Sequence, residues 1–387
     1  MTAAVPDTRT PAGAVRALRS TTAVRERAQQ LLARARAGAS HAFAVDDAAL
    51  SVAARAVAEL TRQRFPDGRI PYHSRWRHFE AGGVDRAGQL DALLGPVDAA
   101  TRARAQIDLA LVSVLLDAGA GPQWTYREAA SGQNFSRSEG LGVASFHAFT
   151  GGLFSSDPLQ PLRVDAAGLA VLSAERLGEA FQVTADNPLV GLAGRTQLLR
   201  QLGEALKAQP DTFGPAGRPG GLYDALCHAA AADTEPVRTI AAHDILVLLL
   251  NTLSPIWPAQ NTIDGLALGD CWQHPAVAGE GLTAGWMPFH KLSQWLTYSL
   301  LEPFEWSGLR VTGIDALTGL PEYRNGGLLI DAGVLRPLPN GWATRSWSAG
   351  DAFIVEWRAL TVALLDELAP LVRAELGLSA QQMPLAC

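Results

Sequence analysis

Three carboxylates stand out for their company: Asp117, Glu139 and Glu322. Glu322 opens the triplet Glu322, Tyr323, Arg324, an acid, a phenol and a guanidinium set just before Asn325, Gly326 and Gly327. The wider stretch 281–335 interleaves Lys291, Glu302, Glu305, Asp315, Glu322 and Arg324 with Trp286, Trp295 and Trp306. Charged groups beside apolar surface are costly to bury unless they are paired or bind something. The triplet suits a small polar ligand, and it suits equally an internal ion pair steadying a loop. The glycines that follow allow unusual dihedrals and a close backbone approach.

Upstream, 66–86 gathers Arg69, Arg75, Arg77 and Arg86 near His73, His78, Tyr72 and Trp76 on a loop rich in Gly and Pro. Arg grips phosphate or carboxylate bidentately and stacks on rings, so this loop reads either as an anion site or as solvated surface. Asp117 follows a strongly apolar helix and precedes small residues and Trp124, an arrangement for a pocket floor or for a helix-end carboxylate in water. Glu139 falls in the first turn of a helix capped by Ser136 or Ser138, where the helix dipole alone would favour it. His147, between Phe146 and Phe149, reads as a core histidine.

The elements that must hold these groups are helical. Apolar residues recur at three- and four-residue steps over 22–37, 50–60, 99–116, 289–301 and 351–368. Within 165–206 the spacing predicts helices broken at Asn187 and Pro188, and further helices are predicted over 223–232 and 239–253. Alternating strands are scarce, so the fold class is mainly α. With no linker of distinct composition, 21–387 reads as one helical unit carrying a loop-rich insert at about 207–285, and 1–20 as a mobile tail.

Hydrophobic residues make up 48% of the 387 and charged ones 18%, ample for a buried core. A net charge of -6 argues against a nucleic-acid backbone as partner. Cys227, Cys271 and Cys387 lie far apart without metal-ligand spacing, so neither a disulfide framework nor a metal centre is expected. The most apolar window, 245–253, falls short of the roughly 20 residues a bilayer requires, and the expectation is a cytoplasmic protein without a membrane partner.

The runs IPYHSRWRHFEAGG, LLDAGAGPQWTYRE, RSEGLGVASFHAF and LPEYRNGGLLIDAGVL resemble the bacterial and fungal uracil-catabolism family usually labelled as a domain of unknown function. That resemblance implies a pathway in which uracil becomes a nucleotide, is opened, and passes through ribosyl-urea species. The order of Asp117 with Trp124, then Phe289, His290, Lys291, Leu292, Ser293, Gln294, then Glu322, Tyr323, Arg324 is also similar to the queuosine-nucleotide glycosylases, which are helical and resemble DNA glycosylases. Here a glutamate stands where that family has aspartate before Tyr-Arg.

The resemblance implies hydrolysis of an N-ribosidic bond in ribosyl-urea or its 5-phosphate, with no cofactor or metal. Glu322 and Asp117 would do the carboxylate work, with Glu139 a third candidate. Lys291, Arg324, Arg75 and Arg77 would hold a ribose phosphate, with Tyr323, His78, Arg137 and His290 as further substrate contacts and Trp124 as an apolar wall. An amidohydrolase acting on a ureide and a noncatalytic nucleotide-binding protein stand as alternatives, and the oligomeric state is open.

Overall fold

The computed structural model describes residues 5–230, 238–257 and 261–387. The described residues are mainly helical, and their strands form only two-stranded pieces. No helix among them is long and apolar enough to cross a membrane. The chain divides into two compact units, Met1–Tyr72 with Pro258–Gln294 and Gly313–Cys387, and His73–Trp257 with Trp295–Thr312.

In the first unit the helices Thr21–Arg36, Leu50–Arg64 and Ala352–Leu376 pack together. Val24, Leu31, Leu32, Ala53, Leu360 and Leu364 share their core. The Thr21–Arg36 helix starts where Ser20 Oγ accepts from Ala23 N, and the chain turns at Gly38 with φ 69°. Leu60, predicted to face inward, is exposed, and Ala58 takes the buried position. Phe43–Val45 pairs antiparallel with Leu335–Pro337, and Cys271–Gln273 pairs antiparallel with Trp286–Pro288.

Within 1–20, expected as a mobile tail, lies a helix, Pro11–Leu18. Thr10 caps it, Pro11 begins it, and Ala14, Val15 and Leu18 are buried against Ile263, Leu268 and Cys271. The glycines after Glu322 also differ from expectation: Gly326 and Gly327 lie inside the helix Tyr323–Asp331. Gly326 is needed for space rather than for dihedral freedom, because a Cβ there would sit 2.5 Å from Trp357 Nε1.

The second unit is built on the helix Ala99–Leu115, buried at nearly every position from Ala103 onward. Against it pack Arg137–Thr150 and Gly221–Ala230. The helix predicted over 223–232 thus begins at Gly221, and 231 and 232 lie outside the described residues. The buried Asp108 ties in the surrounding chain by accepting from Arg218 Nε at 2.6 Å, Gly220 N at 2.7 Å and Val164 N at 3.1 Å. Burial nonetheless pushes its carboxyl up. The region 207–285, expected as loop-rich, contains the helices Gly221–Ala230 and Ala242–Leu253; 231–237 and 258–260 are outside the described residues.

Candidate functional site

In the second unit, Asp117 emerges directly after the Ala99–Leu115 helix, four residues beyond Ser113 and on the same face. Arg75 lies across that face. Its Nη1 donates to Asp117 Oδ2 at 3.0 Å and its Nε to Ser113 Oγ at 2.6 Å. Arg75 is fully buried, whereas the Asp117 side chain keeps 10% exposure. Burial pulls the Arg75 guanidinium below its ordinary value, and Asp117 and Glu139 act the other way. A second guanidinium closes the helix end: Arg195 Nε and Nη2 each donate at 2.9 Å, to the Leu116 and Ala118 carbonyls.

The helix Lys291–Trp306 contributes Trp295, Ser299 and Glu302 to this unit, at i, i+4 and i+7 along one face. Ser299 Oγ accepts from Arg75 N and its carbonyl from Trp76 Nε1, both at 2.9 Å. Glu302 accepts from Ser74 Oγ at 2.5 Å and Arg77 Nη2 at 2.7 Å, and burial pushes its carboxyl up. The Trp295 ring meets His78 edge-on with centroids 5.8 Å apart, and Arg75 Cζ lies 5.7 Å from its centroid. Close approach of the Arg137–Thr150 helix requires Gly142, whose Cβ would fall 2.8 Å from His78 Cβ.

Arg75 and Arg77, expected to hold a phosphate, thus already face carboxylates. Arg77 also reaches Glu80 at 3.0 Å. Trp124 is fully buried, with its N–H donated to the Phe181 carbonyl at 2.9 Å and its ring stacked on Phe181. Arg137 and Glu139 are exposed in the first turn of their helix, and Arg137 has φ 53°.

In the first unit, Lys291 Nζ and Glu322 Oε1 are 2.9 Å apart. Beside Lys291 sits Asp270, a residue the sequence reading missed. It accepts from Arg358 Nη1 and Nη2 at 2.9 and 2.7 Å, from Trp272 Nε1 at 2.8 Å, and from Lys291 N at 3.0 Å, which caps the helix. Although burial opposes ionisation, Arg358 and these donors hold the Asp270 carboxyl well below the usual carboxylate range. Arg358 also stacks over Phe289, Cζ to centroid 4.0 Å.

His290 is buried with φ 50°, and its Nε2 pairs with the Leu18 carbonyl at 2.9 Å; burial pushes the imidazole down, so it is neutral at physiological pH. Tyr323 and Arg324 are exposed, and Arg324 makes no ion pair among the described residues. The structure therefore brings Lys291 to Glu322 in one unit and Arg75 to Asp117 in the other.

Among the described residues, no group of three or more His, Cys, Asp or Glu side chains is placed to hold a metal ion. A further cluster, also missed, has Glu128 accepting from Arg86 at 2.8 and 2.7 Å and from Ser131 Oγ at 2.6 Å, with His147 Nε2 2.6 Å away. An Arg and a Glu separated by 42 positions gave no local signal.

Residues 17–387 match the family described as protein of unknown function (DUF1688). The chain belongs to this family. The DUF1688 chain is 39% identical over 360 residues to "Protein urg3" of Schizosaccharomyces pombe, an alignment covering 91% of this chain and 85% of that protein. It is 40% identical over 333 residues to "Uracil catabolism protein 4" of Lachancea kluyveri, covering 79% of this chain and 75% of that one. All four sequence runs that carried the resemblance fall inside the matched region.

Proposed function

We propose that this DUF1688 chain acts in uracil catabolism as an N-ribosyl hydrolase, releasing urea from ribosyl-urea or its 5-phosphate. The pathway rests on the printed name of the Lachancea kluyveri relative. The chemistry rests on one observation: Asp117, partly open to solvent, is fixed at a helix end by the fully buried Arg75. An N-glycosidic bond breaks through an oxocarbenium-like state, which a positioned carboxylate stabilises while it orients the attacking water. Holding Asp117 against Arg75, which Ser113 in turn anchors, supplies such positioning before substrate arrives.

Glu302 fits the complementary task, because burial pushes its carboxyl up and so towards the proton-donating form that a departing nitrogen needs. Glu322, paired with Lys291 in the first unit, is the alternative carboxylate, and in that alternative the neighbouring exposed Arg324 is the cation suited to a 5-phosphate. Exposed Glu139 lies close enough to act electrostatically on Arg75.

Product analysis tests the reading. Ribosyl-urea and its 5-phosphate, incubated with wild type, should yield urea and the matching sugar. Ammonia in place of urea would mean amide hydrolysis, and binding without turnover would mean a noncatalytic role. Asp117→Asn should abolish urea release, and full activity in that variant with loss in Glu322→Gln would move the chemistry to the Lys291–Glu322 pair.

A further inference from the structure

Among the described residues of the second unit, two buried donors in adjoining side chains have no acceptor, Arg75 Nη2 and Trp295 Nε1; the half-buried Arg77 leaves its Nε without one as well. Arg75 is 0% and Trp295 5% exposed. A buried N–H without an acceptor loses its hydration with nothing in return, so two in adjoining side chains call for an explanation. They are neighbours, with Arg75 Cζ lying 5.7 Å from the Trp295 ring centroid. Every other donor of the Arg75 side chain type is accounted for: Nε goes to Ser113, and Nη1 to Asp117 and the Ser138 carbonyl at 3.3 Å.

The charge at this place selects the ligand. Arg75 is already neutralised by Asp117 and feels Glu139 as well. A phosphate would bring about two further negative charges next to those carboxylates at neutral pH, whereas an uncharged carbonyl oxygen would bring none. We propose that Arg75 Nη2 and Trp295 Nε1 together seat the carbonyl oxygen of a ureido group. This rests on the ribosyl-urea reading and places the leaving group of that reaction.

During hydrolysis water oxygen bonds to the anomeric carbon as the carbon–nitrogen bond breaks. The bonding pair passes to the leaving nitrogen and spreads onto the ureido oxygen, where the two N–H groups face growing negative charge. One proton derived from the water ends on that nitrogen, giving neutral urea, and the other stays on the new sugar hydroxyl. The pair therefore acts on the leaving group, and the carboxylate acts on the sugar.

The test reads the Trp295 N–H directly. The chain has 10 Trp, and the indole resonance that disappears in Trp295→Phe of a ¹⁵N-labelled sample is that of Trp295. Should that variant not fold, substituting the other Trp residues one at a time assigns the resonance by elimination. Adding N-methylurea to wild type should move this resonance downfield, and inorganic phosphate should not. A resonance indifferent to N-methylurea, or one that moves with phosphate, overturns the proposal. This readout needs no turnover, so it is separate from a failure to release urea. Where urea release is measured, Trp295→Phe should lower kcat by about 100- to 1,000-fold, the scale of losing one donor to a developing oxyanion.

Discussion

Lys291 Nζ stands 2.9 Å from Glu322 Oε1, so two side chains that the sequence cast in separate roles are each other's partner. Both remain partly exposed, 31% and 23%. A pair of that exposure contributes only about 0–1 kcal/mol. Glu322→Gln should therefore melt within a few degrees of wild type. If Glu322 acts on the sugar, its turnover of ribosyl-urea 5-phosphate should fall at least about tenfold, the size of losing one charge-assisted contact. Unchanged turnover in the folded variant removes Glu322 from the chemistry.

Arg324 offers a cleaner assay of phosphate recognition, because it is exposed and has no ion-pair partner among the described residues. If the Lys291–Glu322 pair carries the chemistry, Arg324→Ala should raise KM for ribosyl-urea 5-phosphate by about tenfold, near 1.4 kcal/mol, and leave KM for unphosphorylated ribosyl-urea alone. Equal changes for both substrates would show that Arg324 does not read the phosphate.

Asp270 and Arg358 call for the opposite expectation from Lys291 and Glu322. Their bidentate contact joins side chains 29% and 12% exposed. Arg358→Met leaves Asp270 facing Trp272 and Lys291 N without its cation, a loss of about 3 kcal/mol for a largely buried pair. The double variant Arg358→Met, Asp270→Asn should recover part of that loss in denaturant unfolding. No recovery would mean that Arg358 matters through its stacking on Phe289 rather than through its charge.

The helical class was legible because burial in a helix imposes a spacing of three and four, and the predicted 99–116 helix is observed as Ala99–Leu115. Arg75 and Asp117 stood out in the sequence only as candidates, charge beside apolar residues. Their partnership was not, since 42 positions separate them and no local period joins them. Asp270 escaped notice within the stretch read as a loop-rich insert, with its Arg358 partner 88 positions away. Trp295, Ser299 and Glu302 did carry a signal, a polar stripe at helical spacing, which their apolar neighbours masked. The Pro11–Leu18 helix was marked by a Thr-Pro start, but its single short apolar face depends on residues 263–271 for burial.

Gly326 tests whether close packing sets the geometry around Glu322. A Cβ there would lie 2.5 Å from Trp357 Nε1 and 3.0 Å from Thr361 Oγ1. Although alanine is the better helix former, Gly326→Ala should destabilise by about 1–3 kcal/mol through overpacking. Adding Trp357→Phe removes the clashing nitrogen and should restore part of the loss. A more stable Gly326→Ala would show that the Tyr323–Asp331 and Ala352–Leu376 helices can separate freely.

Glu128 predicts how stability responds to acid. Burial alone would raise its carboxyl, but Arg86, Ser131 and His147 outweigh that and bring it from 4.5 down to about 2. The folded state therefore holds the ionised form more tightly than the unfolded chain does. Its contribution is fully present above the unfolded value near 4.5 and is lost as pH falls from there through about 2. A displacement of that size corresponds to about 3 kcal/mol at 1.36 kcal/mol per unit. Wild-type melting temperature should thus decline between pH 5 and pH 2 more steeply than that of Glu128→Gln, which has no carboxyl to titrate. At pH 7 wild type should be the more stable by its largest margin, because glutamine leaves the fully buried Arg86 uncompensated. Parallel curves for the two proteins across this range would show that the Arg86–Glu128–His147 cluster does not couple to folding.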